Sequence, residues 1–170
     1  MKKLSLLSIL CLLLGAFSCS QQNDDLSTPD PAQVVAGLGD VDHFVFGTYY
    51  GRCLSNCTHT FNLKAGGLFA DKVDRGYPEP GMEFEDKSLS KEDIELATKL
   101  FKDFPEELYK EEGEILGCPD CADQGGFYLE IQIGKSAPRV WRIDTDDSRI
   151  PAYLSEYTAK VRKTVEELQQ

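Results

Sequence analysis

Gly126-Phe127-Tyr128-Leu129-Glu130-Ile131-Gln132-Ile133 carries an apolar residue at every second position, the period of an extended strand with one face on a core. The alternation predicts Phe127, Leu129, Ile131 and Ile133 inward and Tyr128, Glu130 and Gln132 outward. Gly134 to Pro138 supplies a turn, and Val140-Trp141-Arg142-Ile143 returns as the partner strand of a hairpin, with Trp141 and Ile143 buried. The same period occurs upstream, where Phe44, Phe46, Thr48 and Tyr50 share one face and Val45, Gly47 and Tyr49 the other. His59 to Leu63 continues in this style beyond a short loop that holds Cys53 and Cys57, so a second hairpin is expected. Leu68 to Lys72, after Gly66-Gly67, reads as a third strand of that group, and Pro78, Pro80 and Gly81 mark an irregular stretch after it.

Two segments change to helical spacing. Ser90-Lys91-Glu92-Asp93 has the form of a capping box, and Ile94, Ala97, Phe101 and Phe104 then recur on one stripe, which predicts a helix from Lys91 to Phe104 before Pro105. Pro151 suits the first turn of a final helix whose stripe is Leu154, Tyr157, Val161, Val165 and Leu168. The order β-β-β-α-β-β-α predicts an α+β fold, an antiparallel sheet of about five strands with two helices packed on one face. Residues 41–170 form this single domain.

The 170 residues include 18 Lys+Arg against 29 Asp+Glu, a formal net charge of −11. So acidic a chain, with no basic patch, argues against nucleic-acid binding, which needs clustered cations to neutralise phosphates. At the N-terminus, Lys2-Lys3 precede Leu4 to Leu14, an apolar run of 11 residues. This is long enough for the core of an export signal and short of the ~20 residues that span a bilayer.

Gly15-Ala16-Phe17-Ser18-Cys19 resembles the lipobox of bacterial lipoproteins. The resemblance implies that residues 1–18 are a signal peptide and that Cys19 becomes the first residue, carries acyl chains and inserts into membrane lipid. Ala16-Phe17-Ser18 also reads as an ordinary cleavage site before a soluble secreted protein. Cysteine parity weighs against that alternative. Of six cysteines, Cys11 leaves with the signal, and a lipidated Cys19 leaves an even set, Cys53, Cys57, Cys118 and Cys121. Residues 19–40 then form the lipidated cysteine and a flexible acidic tether. Within it, Ser20 to Asp25 resembles the tract that sends lipoproteins of Bacteroidota-type bacteria to the outer face of the outer membrane.

Three further segments, Phe46-Gly47-Thr48-Tyr49-Tyr50-Gly51 with its Cys53 and Cys57, Gly117-Cys118-Pro119-Asp120-Cys121-Ala122-Asp123, and Ile150-Pro151-Ala152-Tyr153-Leu154, resemble a set of small uncharacterised lipoproteins of the same bacteria. The resemblance implies one exported domain at the cell surface. It implies no reaction, ligand or protein partner.

The four remaining cysteines are the most informative candidate site. In an oxidising envelope they read first as two disulfides, paired locally or across the loops. The alternative is zinc held by Cys53, Cys57, Cys118 and Cys121, with His59 as a spare ligand. A redox role is weaker, since Cys121 leads into a strand and not a helix. Haem attachment is excluded by Ala122, where the motif requires histidine. Asp144-Thr145-Asp146-Asp147-Ser148 begins like a calcium loop, which makes Asp144 and Asp146 weak metal candidates, yet Arg149 stands where that loop needs glycine. Neither His43 nor His59 lies in a hydrolase signature, no catalytic residue stands out, and no cofactor is expected.

Overall fold

A computed structural model describes residues 41–170. The expectations for the signal peptide 1–18, for Cys19 and for the tether 19–40 lie outside the described residues. The strands are β1 (His43–Tyr49), β2 (Thr58–Lys64), β3 (Gly67–Ala70), β4 (Ile115–Leu116), β5 (Gly126–Gln132) and β6 (Arg139–Asp144). The helices are α1 (Lys91–Lys102) and α2 (Ala152–Leu168). The fold is α+β, built on one six-stranded sheet of order β3-β2-β1-β5-β6-β4.

All neighbours pair antiparallel except β4, which runs parallel to β6. The sheet is therefore mixed and has one strand more than the expected five. The extra strand is only Ile115–Leu116, too short to show a period. The register brings Phe61, Phe46, Leu129 and Trp141 into one row across four strands, and this row forms the middle of the main core.

α1 starts where Ser90 accepts a hydrogen bond from the Asp93 amide while Asp93 answers the Ser90 amide, a reciprocal cap. It buries Ala97, Leu100 and Phe101. It ends at Lys102, two residues before the expected limit, and Phe104 follows on a bend. There the Phe104 ring packs edge-on to Tyr157 and Tyr109 and tilted against Trp141, at centroid distances of 5.7, 5.9 and 5.7 Å. Such arrangements place positive ring edges on negative faces. α2 buries Leu154, Tyr157, Val161 and Val165 as its stripe predicts, and Leu168 is half-buried.

The opposite face corrects one expectation. Tyr128 and Glu130, read as outward, are 0% and 2% exposed. They are covered by residues 71–86, a strap with almost no regular structure. Its two limbs are joined by the Asp71–Phe84 bridge and by the Lys72 amide bonding to the Glu83 carbonyl. Met82 and Phe84 pack on Val45, Tyr49, Tyr128 and Val140, a second and smaller apolar cluster.

Candidate functional site

The sheet register builds the site. Phe69, Asn62, Val45, Glu130 and Val140 form one row beneath the strap, each on a different strand. His43 and Lys64, opposite each other on β1 and β2, belong to the adjacent row. Side chains one row apart on the same face remain within reach of each other. Between this surface and the strap lies a cavity of about 370 Å³, lined by groups that include His43, Asn62, Lys64, Phe69, Phe84 and Glu130. That volume lies in the range of small-molecule sites.

Glu130 is the charged centre of the cavity. Its Oε1 accepts from His43 Nε2 at 2.7 Å, and its Oε2 accepts from the Tyr128 hydroxyl. Burial, reinforced by that bond, pushes the Tyr128 phenol far above its ordinary value, so it stays protonated and remains a donor. Each carboxylate oxygen is thus engaged by one donor, and a carboxylate offers about four acceptor positions in all. Next to it, Asn62 is 7% exposed, and among the described residues its Oδ1 has no hydrogen-bond partner. A buried acceptor left in this way costs about 1–3 kcal/mol.

The strap is fastened by both disulfide loops, at Asp74 and Tyr77. Cys53 joins Cys57 and Cys118 joins Cys121, with Cα atoms 5.7 and 5.5 Å apart, so the pairing is local and not crossed. In the first loop, the Cys57 amide bonds to the Asp74 carbonyl at 2.8 Å and the Asn56 amide to Asp74 Oδ1 at 2.6 Å. In the second, Asp120 Oδ2 accepts from Tyr77 at 2.9 Å and from the Gly51 amide at 3.0 Å. From the sheet, Arg142 donates to the Pro78 carbonyl at 3.1 Å. Asn56, Asp120 and Asp123 hold positive φ angles of 54°, 58° and 58°, and Asn and Asp are the non-glycine residues that adopt this conformation most readily. Local cross-links therefore set the loop shapes, and the loops set the strap.

The other sequence candidates fall elsewhere. Asp144 closes β6 and is 0% exposed. Its Oδ2 accepts from the Cys118 amide at 2.8 Å, and its Oδ1 accepts from the Asp146 amide at 3.0 Å and from Gln124 at 3.4 Å. Burial by itself would raise this carboxyl, but those donors and the Arg149 charge together hold it below its ordinary value. Asp146 accepts from the Ser148 amide and hydroxyl and caps a short 3-10 turn, Asp147–Arg149. His59 lies on the helix-facing side of β2, in a groove shared with Thr48 and Arg162. The zinc alternative requires free thiolates, and these four cysteines are joined in two separate pairs. Among the described residues, no group of three or more His, Cys, Asp or Glu side chains is placed to hold a metal ion.

Searches for similarity gave no matching family model, no matching curated protein and no matching solved structure. The site is thus defined by its own geometry. The sequence reading missed Glu130, His43 and Asn62 as partners, because His43 and Glu130 are 87 residues apart and meet only through the β1–β5 register. One signal was present: a carboxylate in the middle of the most apolar strand is costly unless something answers it.

Proposed function

We propose that this protein is an exported lipoprotein: Cys19 carries the acyl anchor, and residues 41–170 are displayed at the outer membrane as a binding domain that performs no catalysis. The observation that carries this reading is the pair of disulfides in one small domain, since such bonds form and persist in oxidising compartments. Lys2-Lys3, the short apolar run and the cysteine parity support export and lipidation in the same direction. The acidic residues Asp24 and Asp25 beside Cys19, and the resemblance to Bacteroidota-type lipoproteins, favour the outer surface of the cell.

The test is fractionation of cells that make the Cys19→Ser variant. Two or three acyl chains, at ~0.8 kcal/mol per buried CH₂, make spontaneous release of the anchored chain negligible. The wild-type chain is expected in the membrane fraction and the variant in the soluble fraction. A variant as firmly membrane-bound as the wild type would overturn the proposal.

A further inference from the structure

The cavity under the strap has more acceptors than donors. Glu130 forms its floor with acceptor positions to spare, the Asn62 Oδ1 lacks a partner among the described residues, and Glu85 stands exposed at the rim beside Asp86, which pairs with Lys72. Among the described residues Lys64 is the one lysine or arginine in the lining, and its Nζ sits 4.8 Å over the centroid of the Phe69 ring. That contact is informative, because the wall already holds a primary ammonium against an aromatic face. Val45, Met82 and Phe84 supply an apolar side beside these polar groups.

We propose that this cavity binds a primary ammonium on a short apolar stem, the chemistry of a lysyl side chain or an alkylamine. Glu130 is the counter-ion, Asn62 Oδ1 accepts one ammonium N–H, the stem lies along Met82 and Phe84, and the Phe69 face takes the place of solvent. His43 and Tyr128 hold the two Glu130 oxygens in position and do not themselves need to touch the ligand. Lys64 competes for the same aromatic face from inside the chain. The chain's net charge of −11 favours the approach of a cation and disfavours that of an anion. The inference goes beyond the membrane-anchor reading and does not depend on it. A chain that fractionates with membranes and binds no ammonium sinks only the cavity assignment, and the reverse result sinks only the anchor.

The experiment is a ¹⁵N–¹H NMR titration of the full disulfide-intact chain in nonionic detergent, with pentylammonium, 1-pentanol and pentanoate as probes. Pentylammonium is expected to give saturable shifts centred on the Val45, Asn62 and Glu130 amides, and pentanol and pentanoate none. Glu130→Gln, nearly the same in shape, should weaken the ammonium by about tenfold or more, the size expected for a lost charge-assisted hydrogen bond. Lys64→Met should tighten it. Equal binding of pentanol and pentylammonium, absence of any saturable shift, or wild-type affinity in a folded Glu130→Gln variant would each overturn the proposal. Because the probes are compared on the wild-type chain, the test stays decisive if the Glu130 variant does not fold.

Discussion

The two faces of the sheet are built on the same strands and are packed by different means. On the helix side, the row Phe61-Phe46-Leu129-Trp141 meets Phe104, Tyr157 and the stripe of α2, and aromatic and aliphatic groups fill the space. On the strap side, the row Asn62-Val45-Glu130-Val140 meets an irregular segment held by hydrogen bonds and two short cross-linked loops, and a cavity remains. Apolar burial stabilises in proportion to area and asks little of geometry. A polar surface must be answered group by group. Among the described residues the strap leaves the Asn62 Oδ1 unanswered beside a cavity, whereas the unanswered Tyr109 hydroxyl and Trp141 Nε1 of the helix side lie within the packed core. The contrast is a division of labour: the close-packed helix face supplies most of the apolar burial, and the strap face keeps an open cavity with a polar floor.

The largest test of that division is Phe104→Ala. It removes a ring in contact with four other aromatics, Phe44, Tyr109, Trp141 and Tyr157, and the cost expected for such a buried truncation is about 3–5 kcal/mol. Urea unfolding followed by near-UV circular dichroism reads it. A loss below about 1 kcal/mol would place the stabilising core elsewhere.

Asp144→Asn tests the strap side, where a buried carboxylate is fully answered. Replacing it leaves the Cys118 and Asp146 amides facing a weaker or misdirected partner, at a cost of about 2–3 kcal/mol at neutral pH. The Asp144 carboxyl is depressed below its ordinary value of 3.8 in the folded state. Its contribution is therefore complete above the unfolded value and is lost as pH falls through the folded one. The stability gap between wild type and variant should shrink between pH 7 and about pH 3. A gap that stays constant would mean that the charge has no part in it.

A smaller effect is expected from Cys53→Ser with Cys57→Ser. A link closing so short a loop contributes roughly 2 kcal/mol in the chain-entropy model. The cross-paired arrangement left open by the sequence would close far longer loops and stabilise more, so local pairing points to shaping the loops that hold the strap at Asp74 and Tyr77 as the main role. Hydrogen exchange should then rise first at the Asn56 amide, which fastens this loop to Asp74, and at the Lys72 amide, which joins the strap's limbs, before it rises on the helix side. Uniform loosening of both faces would erase the distinction between them.

The same contrast explains what the sequence disclosed. Strong periods lie on the helix face, so Phe127, Leu129, Ile131, Trp141, the Ser90–Asp93 cap and the stripe of α2 were readable one residue at a time. The strap has no period, and Pro78, Pro80 and Gly81 mark only where structure becomes irregular. A reading by alternation therefore sent Tyr128 and Glu130 to solvent. Asp144 and Asp146 look like the opening of a calcium loop because the same oxygens that hold a cation also accept backbone amides. The helix end shows the same limit, since the bend that turns Phe104 into the core is a tertiary effect acting two residues beyond Lys102.

Export and lipidation are the claims on which the membrane setting rests, and the intact mass of the mature chain before and after reduction tests them together. The account predicts a chain beginning at Cys19, heavier than its polypeptide by a thioether-linked diacylglyceryl group with or without an N-acyl chain, which gains four hydrogens on reduction as the two disulfides open. An unmodified Cys19, or four free thiols accompanied by zinc, would contradict it.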